Sequence, residues 1–271
     1  MKMSMLELVS IEWMKGKRSK MIPLIFVAPL LVVVSGVAGI RHYVTPDSTN
    51  VWAAMLIQST LLFSYYLLPL SMVVICVMIA GRETGNNGIL KMLALPVSRH
   101  ALSAAKFCVL LSYLLMETAV FFAVFVIAGL FATASAGVTE TLPIMDLLKW
   151  CGSLFLTMIP SVTVMWAITV FFETPLISVG INILLVISGL LMANTPFWFL
   201  YPYCYSGYLV SCSLHAVTAR GVGDGWKLVP FLPCAVLISV LAFWVAITCF
   251  GKQEFAFQGG ALRRAAEAKK A

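Results

Sequence analysis

Glu117 lies near the middle of a long apolar run and is the only ionisable side chain placed deep in any such run. A carboxyl at that depth is costly to keep charged, so it marks a functional candidate. Its own surroundings allow two readings: a protonated acid, or a partner for a polar group on a neighbouring helix. One carboxyl does not make an enzyme, because acid–base or nucleophilic chemistry needs further groups within hydrogen-bond reach. The three histidines, His42, His100 and His215, are far apart, and no H-E-x-x-H is present. The seven cysteines (76, 108, 151, 204, 212, 234 and 249) include no C-x-x-C pair. Five fall in apolar runs as small buried residues, while Cys204 and Cys212 share a loop and would pair only on an oxidising side. No G-x-x-x-x-G-K-[ST] phosphate loop occurs. Gly85 to Lys91 comes closest, but its glycine spacing is wrong and Met92 follows the lysine. The chain therefore carries no ATP-binding or catalytic motif of its own, and no cofactor is expected in it.

The elements that hold these residues are set by the apolar excess. Of 271 residues, 61% are hydrophobic and 11% charged, against roughly a quarter charged in a soluble domain. Long unbroken runs replace any strand-like alternation, so the expected fold class is an all-α integral membrane protein. Six transmembrane helices are expected, over about 21–40, 52–80, 101–132, 148–172, 175–193 and 229–250. The first contains Pro23 and Pro29. The second and third exceed the usual length and must tilt or protrude. Pro69 and Pro160 mark kinks. No cleavable leader is evident, the first run beginning only near residue 21. Ahead of it, Leu6, Val9 and Trp13 recur at helical spacing before Lys15, Lys17, Arg18 and Lys20. This predicts an interfacial amphipathic helix with Trp13 at headgroup depth, or a plain tail with a topogenic charge cluster.

With both termini placed in the cytoplasm, 14 of the 18 Lys and Arg residues fall on that side. The net charge of +7 is thus a topology signal rather than a sign of nucleic acid. Residues 1–255 form one transmembrane domain. Residues 256–271 are a basic tail or an expression remnant.

Two connections stand apart. Residues 81–100 contain a short amphipathic stretch with Ile89, Leu90, Leu93 and Ala94 on one side. Gly85 and Gly88 lie before it, Pro96 ends it, and Ser98 is placed to cap the next helix. It reads as a knob offered to a cytoplasmic partner, or as an interfacial re-entry with none. Residues 194–228 gather Phe197, Trp198, Phe199, Tyr201, Tyr203, Tyr205, Tyr208 and Trp226. These suit headgroup depth on the external side, or form a contact surface for an amphiphilic ligand. Glu173, in the short turn before Pro175, reads as a solvated residue.

The run Glu83-Thr84-Gly85, then Leu93-Ala94-Leu95-Pro96-Val97-Ser98-Arg99 and Lys106, resembles the ABC-2-type permeases. Met92-Leu93 stands where a double leucine is common. The six-span plan over residues 1–255 is similar too. Within that family, Trp13, Asn86-Asn87-Gly88 and the aromatic last loop look most like the lantibiotic-immunity and bacitracin-resistance permeases. The resemblance implies a cytoplasmic coupling helix between spans two and three. Its ATPase-coupling residues would be Arg82, Glu83, Thr84, Gly85, Ile89, Leu90, Lys91, Leu93, Leu95, Pro96 and Arg99. It implies a separate ATP-binding subunit holding ATP and Mg, and a second permease chain, identical or homologous. It further implies an amphiphilic peptide substrate and a bacterial plasma-membrane location. The competing readings are a non-transporting sensor or assembly protein, an exporter of a drug, lipid or glycan, and an intramembrane enzyme acting on lipid.

Overall fold

A computed structural model describes residues 4–17, 21–43, 51–81, 98–136, 144–172, 174–218 and 228–268. Within them the chain is helical: α1 (Met5–Lys17), α2 (Met21–Tyr43), α3 (Val51–Leu62), a π-helical turn (Phe63–Leu67), α4 (Leu68–Gly81), α5 (Arg99–Ala136), α6 (Ile144–Phe171), α7 (Pro175–Met192), α8 (Tyr205–Thr218) and α9 (Leu228–Ala268). Two single 3-10 turns, Trp198–Leu200 and Pro202–Cys204, precede α8. Six helical segments among the described residues are long and apolar enough to cross a membrane. They correspond to the six expected runs. An even number of crossings places α1 and the end of α9 on one side, termed here the terminal side.

Burial sorts the spans by role. In α6, 67% of the spanning stretch is buried, against 17% in α9. So α6 is the central pillar and α9 a flank. In α2 Met21, Ile25, Ala28 and Val32 are enclosed at spacings of four and three, with Pro29, Val33 and Gly36 buried beside them. Phe26, Leu30, Leu31 and Val34 are equally apolar and point outward. That is the signature of a helix whose solvent is lipid: hydrophobicity alone does not choose its inner face, and close packing does. Gly36 supplies such a contact, since a Cβ there would stand 2.1 Å from Ser59 Oγ on α3. Gly129 of α5 likewise lies under the Trp52 ring.

The expected kink at Pro69 takes a specific form. Its ring would strike the Tyr65 carbonyl in a regular α-helix. The chain instead widens to a π turn, with the Leu68 N–H donating to Phe63 O. The next bond in that pattern would run from residue 69 to Ser64 O, and proline has no N–H. Ser206 of α8 fills the gap, its hydroxyl donating to Ser64 O at 3.1 Å. Tyr65 and Ser211 share a second bond at 2.7 Å, and Gly207 lets the two helices close, a Cβ there meeting the Tyr65 ring at 2.2 Å.

Two sequence readings change. Residues 205–218, read as part of a loop, form a 14-residue helix. The last helix runs unbroken through residue 255 to Ala268, 41 residues in all. Ser98 does sit at the start of α5, its Oγ accepting from the Ala101 N–H at 3.4 Å.

Candidate functional site

α5 brings the polar residues together along one inner face. Lys106, Leu110, Tyr113, Glu117, Phe121 and Phe125 recur at spacings of three and four, and all are buried. At the terminal-side end this face receives α1. Lys106 Nζ donates to Glu12 Oε2 at 3.0 Å, with only 1% and 3% of the two side chains exposed. Lys15 bonds the other oxygen of the same carboxyl. Burial alone would raise the Glu12 pKa. The attraction of Lys106, and the hydrogen bonds from Lys15 and Lys106, outweigh it and hold the carboxyl below its usual value. Beside this joint Trp13 stacks on Tyr113 at 4.8 Å, and Gly16 faces the Tyr113 hydroxyl so closely that no side chain fits. Trp13 is thus a packing residue against α5 rather than a free headgroup anchor. Leu6, two turns before Trp13, and Met14 are exposed.

Two to three turns further along, Glu117 is completely enclosed. The Ser71 hydroxyl of α4 lies 2.7 Å from its Oε1. One turn beyond, Phe121 stacks on Phe63 at 4.4 Å and leans on Trp150 at 5.8 Å. The carboxyl therefore sits in the seam between α4 and α5, the two helices that flank residues 82–97.

On the far side the aromatic segment is a structured cap, and its seven predicted contact residues divide. Trp198, Tyr203 and Tyr205 are buried, Phe199, Tyr201 and Tyr208 half-buried, and Phe197 is 60% exposed. Trp198 stacks on Tyr208 at 3.9 Å and on Phe231 of α9 at 6.0 Å. Tyr203 dips along α7, its hydroxyl donating to Asn182 Oδ1 at 2.8 Å. Asn182 lies about 15 Å below the end of that helix. From there Asn182 donates to Ser178 O at 3.0 Å, and Ser178 to Thr169 Oγ1 of α6 at 3.0 Å. Ser161 of α6 donates to Pro202 O at 2.6 Å. Gly189 permits the approach, its missing Cβ lying 3.2 Å from the Tyr203 carbonyl. Cys204 is buried, its thiol pushed up to about 12 by burial, and it is not bonded to Cys212.

Of the predicted coupling residues, Arg82, Glu83, Thr84, Gly85, Ile89, Leu90, Lys91, Leu93, Leu95 and Pro96 lie outside the described residues, as does Glu173. Arg99 opens α5. The sequence reading missed the Glu12–Lys106 pair. Its only signal was a buried-side lysine just inside a long apolar run, with a carboxyl on the amphipathic helix.

No group of three or more His, Cys, Asp or Glu able to hold a metal occurs among the described residues. Stacked spans, interlocked by buried hydrogen bonds and capped on one side, define a multi-pass membrane protein. Residues 8–189 match the family model described as ABC-2 family transporter protein. The chain belongs to that family: it is a membrane permease of the ABC transporter class, the transmembrane and non-catalytic part, in a family that generally works with an ATP-binding subunit. No curated protein and no solved structure matches it.

Proposed function

We propose that the chain is the permease half of an efflux pump in a bacterial plasma membrane, with both termini cytoplasmic. A separate subunit holding ATP and Mg docks on residues 84–96, and a second permease chain, identical or homologous, completes the pathway. The positive-inside count supports the orientation. The observation that carries the reading is the bracing of the helices on either side of that stretch. α5 is tied to α1 by the buried Glu12–Lys106 pair, and α4 continues through the π turn to a helix held by the far-side cap. A push delivered between α4 and α5 thus reaches the opposite face through packed elements.

The substrate proposed is an amphiphilic peptide of the lantibiotic or bacteriocin type, expelled from the membrane. Phe197, with the half-buried Phe199, Tyr201 and Tyr208, offers aromatic contact area; Trp198, Tyr203 and Tyr205 hold the cap that presents it. The test is purification from native membranes in mild detergent. A stoichiometric ATPase is expected in the eluate, and it is lost when Leu93 and Leu95 are both replaced by Asp. Recovery of the chain without any ATPase would move the assignment to a sensor or assembly role. Protection of cells against a lantibiotic, lost with the same double substitution, identifies the substrate class.

A further inference from the structure

The contacts of Glu117 favour a proton on its carboxyl. Ser71 Oγ is 2.7 Å from Glu117 Oε1 and 2.8 Å from Leu68 O. A serine hydroxyl has one hydrogen. Both contacts are full two-centre hydrogen bonds when Ser71 donates to the Leu68 carbonyl and the Glu117 O–H donates to Ser71. A carboxylate would leave the two oxygens sharing the single Ser71 proton, a weaker arrangement for both. Glu117 Oε2 has no hydrogen-bond partner among the described residues, which a neutral carbonyl tolerates far better than an ionised oxygen.

Among the described residues no countercharge stands nearby. α4 and α3 carry no Asp, Glu, Lys or Arg, and their titratable groups, with the π turn, are Cys76, Tyr65 and Tyr66. α2 has none from Met21 to Ile40, and α9 has only Cys234 and Cys249 from Leu228 to Gly251. α6 brings Cys151, with Asp146 and Lys149 paired and exposed at its far-side end. Glu12 and Lys15 of α1 meet Lys106, about 16 Å from Glu117 along α5, and Glu7 stands nearer the start of α1, bonded to Ser4; on α5 itself Cys108 is exposed and Tyr113 is one turn away.

We propose that Glu117 is a proton-binding site in the α4–α5 seam: a neutral acid while the seam is closed, ionising when the helices part and water enters. On opening, the O–H bond breaks, its electron pair stays on the carboxylate and the proton passes to water. Closing reverses the transfer. Because closing takes up one proton, each unit of rising pH shifts the seam tenfold toward the open form, over the range where the open form is ionised and the closed form is not. This holds whether or not the chain works as a pump.

The test uses the full chain in phosphatidylcholine–phosphatidylglycerol vesicles. Hydrogen exchange of α4 amides is followed from neutral to alkaline pH in wild type and in Glu117→Gln. Taking the ratio of the two cancels the intrinsic pH dependence of exchange. The expected ratio rises tenfold per pH unit, and infrared spectra show a protonated-acid carbonyl band that the variant lacks. A flat ratio, or spectra in which the variant loses no such band, overturns the proposal. Glu117→Met, equally inert to pH, serves as the reference should the amide variant fail to fold.

Discussion

Replacing Lys106 with Met leaves the Glu12 carboxylate buried with one cation instead of two. Losing one partner of a buried pair costs about 3–5 kcal/mol. Lys15 still reaches the carboxyl, so the lower end applies: about 3 kcal/mol, or roughly a hundredfold in the equilibrium that docks α1 on α5. Lys15→Met removes a cation that is 44% exposed and three residues away, worth only about 0.3–0.5 kcal/mol. The double change Glu12→Leu with Lys106→Met removes both buried charges, and recovers most of the loss because apolar groups of similar volume suit the site. Hydrogen exchange of α1 amides in the three variants reads the docking directly. Equal effects of the Lys15 and Lys106 changes would refute the argument. So would a double variant as loose as Lys106→Met alone.

Three further outcomes follow from the geometry. Ser206→Ala strips the hydroxyl donor from the carbonyl that Pro69 leaves open, costing about 1–3 kcal/mol; thermal unfolding measures it, and an unchanged midpoint would show that water takes over the role. Trp198→Ala empties the centre of the cap, costing about 3–5 kcal/mol, whereas Phe197→Ala leaves stability intact because that ring is mostly exposed; similar losses in both would contradict the division of the cap into frame and contact face. Glu12, whose folded pKa is depressed, stabilises docking above its ordinary carboxylate value, and the contribution is lost as pH falls through the lower folded one. α1 therefore loosens as pH falls into the acid range, the opposite sense to the seam at Glu117; an acid titration of α1 exchange that shows no loosening would contradict this.

The six spans were legible because each is a long apolar run, and in lipid the run itself is the structural determinant. Ser98 as a cap and Pro69 as a break were legible for the same local reason. Pairings across long separations were not. Nothing near residue 12 points to residue 106, and nothing near 117 points to Ser71, since register between spans is set by packing of small residues such as Gly36 and Gly129. Helix α8 was hidden by composition: its tyrosines read as interfacial aromatics, while Ser206, Gly207, Val210 and Ser211, at helical spacing, were the overlooked stripe that lies toward the second span. Pro69 announced a break without revealing its shape.

That shape has a consequence for length. A π turn holds one residue more than the α-helix around it, and one residue is about 100° of rotation. The extra residue therefore phases the two halves of the second span. Downstream of it, Ser71, Met72, Ile75 and Cys76 turn inward while Leu70 and Val74 face out. Deleting any residue from Phe63 to Leu67 would remove the extra residue and rotate α4 by about that angle against α3, swinging Ser71 off Glu117 and turning Leu70 and Val74 toward the interior, with Pro69 still unable to fit a regular turn. The segment is a spacer whose residue count sets the aim of half a span, in addition to the contacts that Phe63 and Tyr65 make.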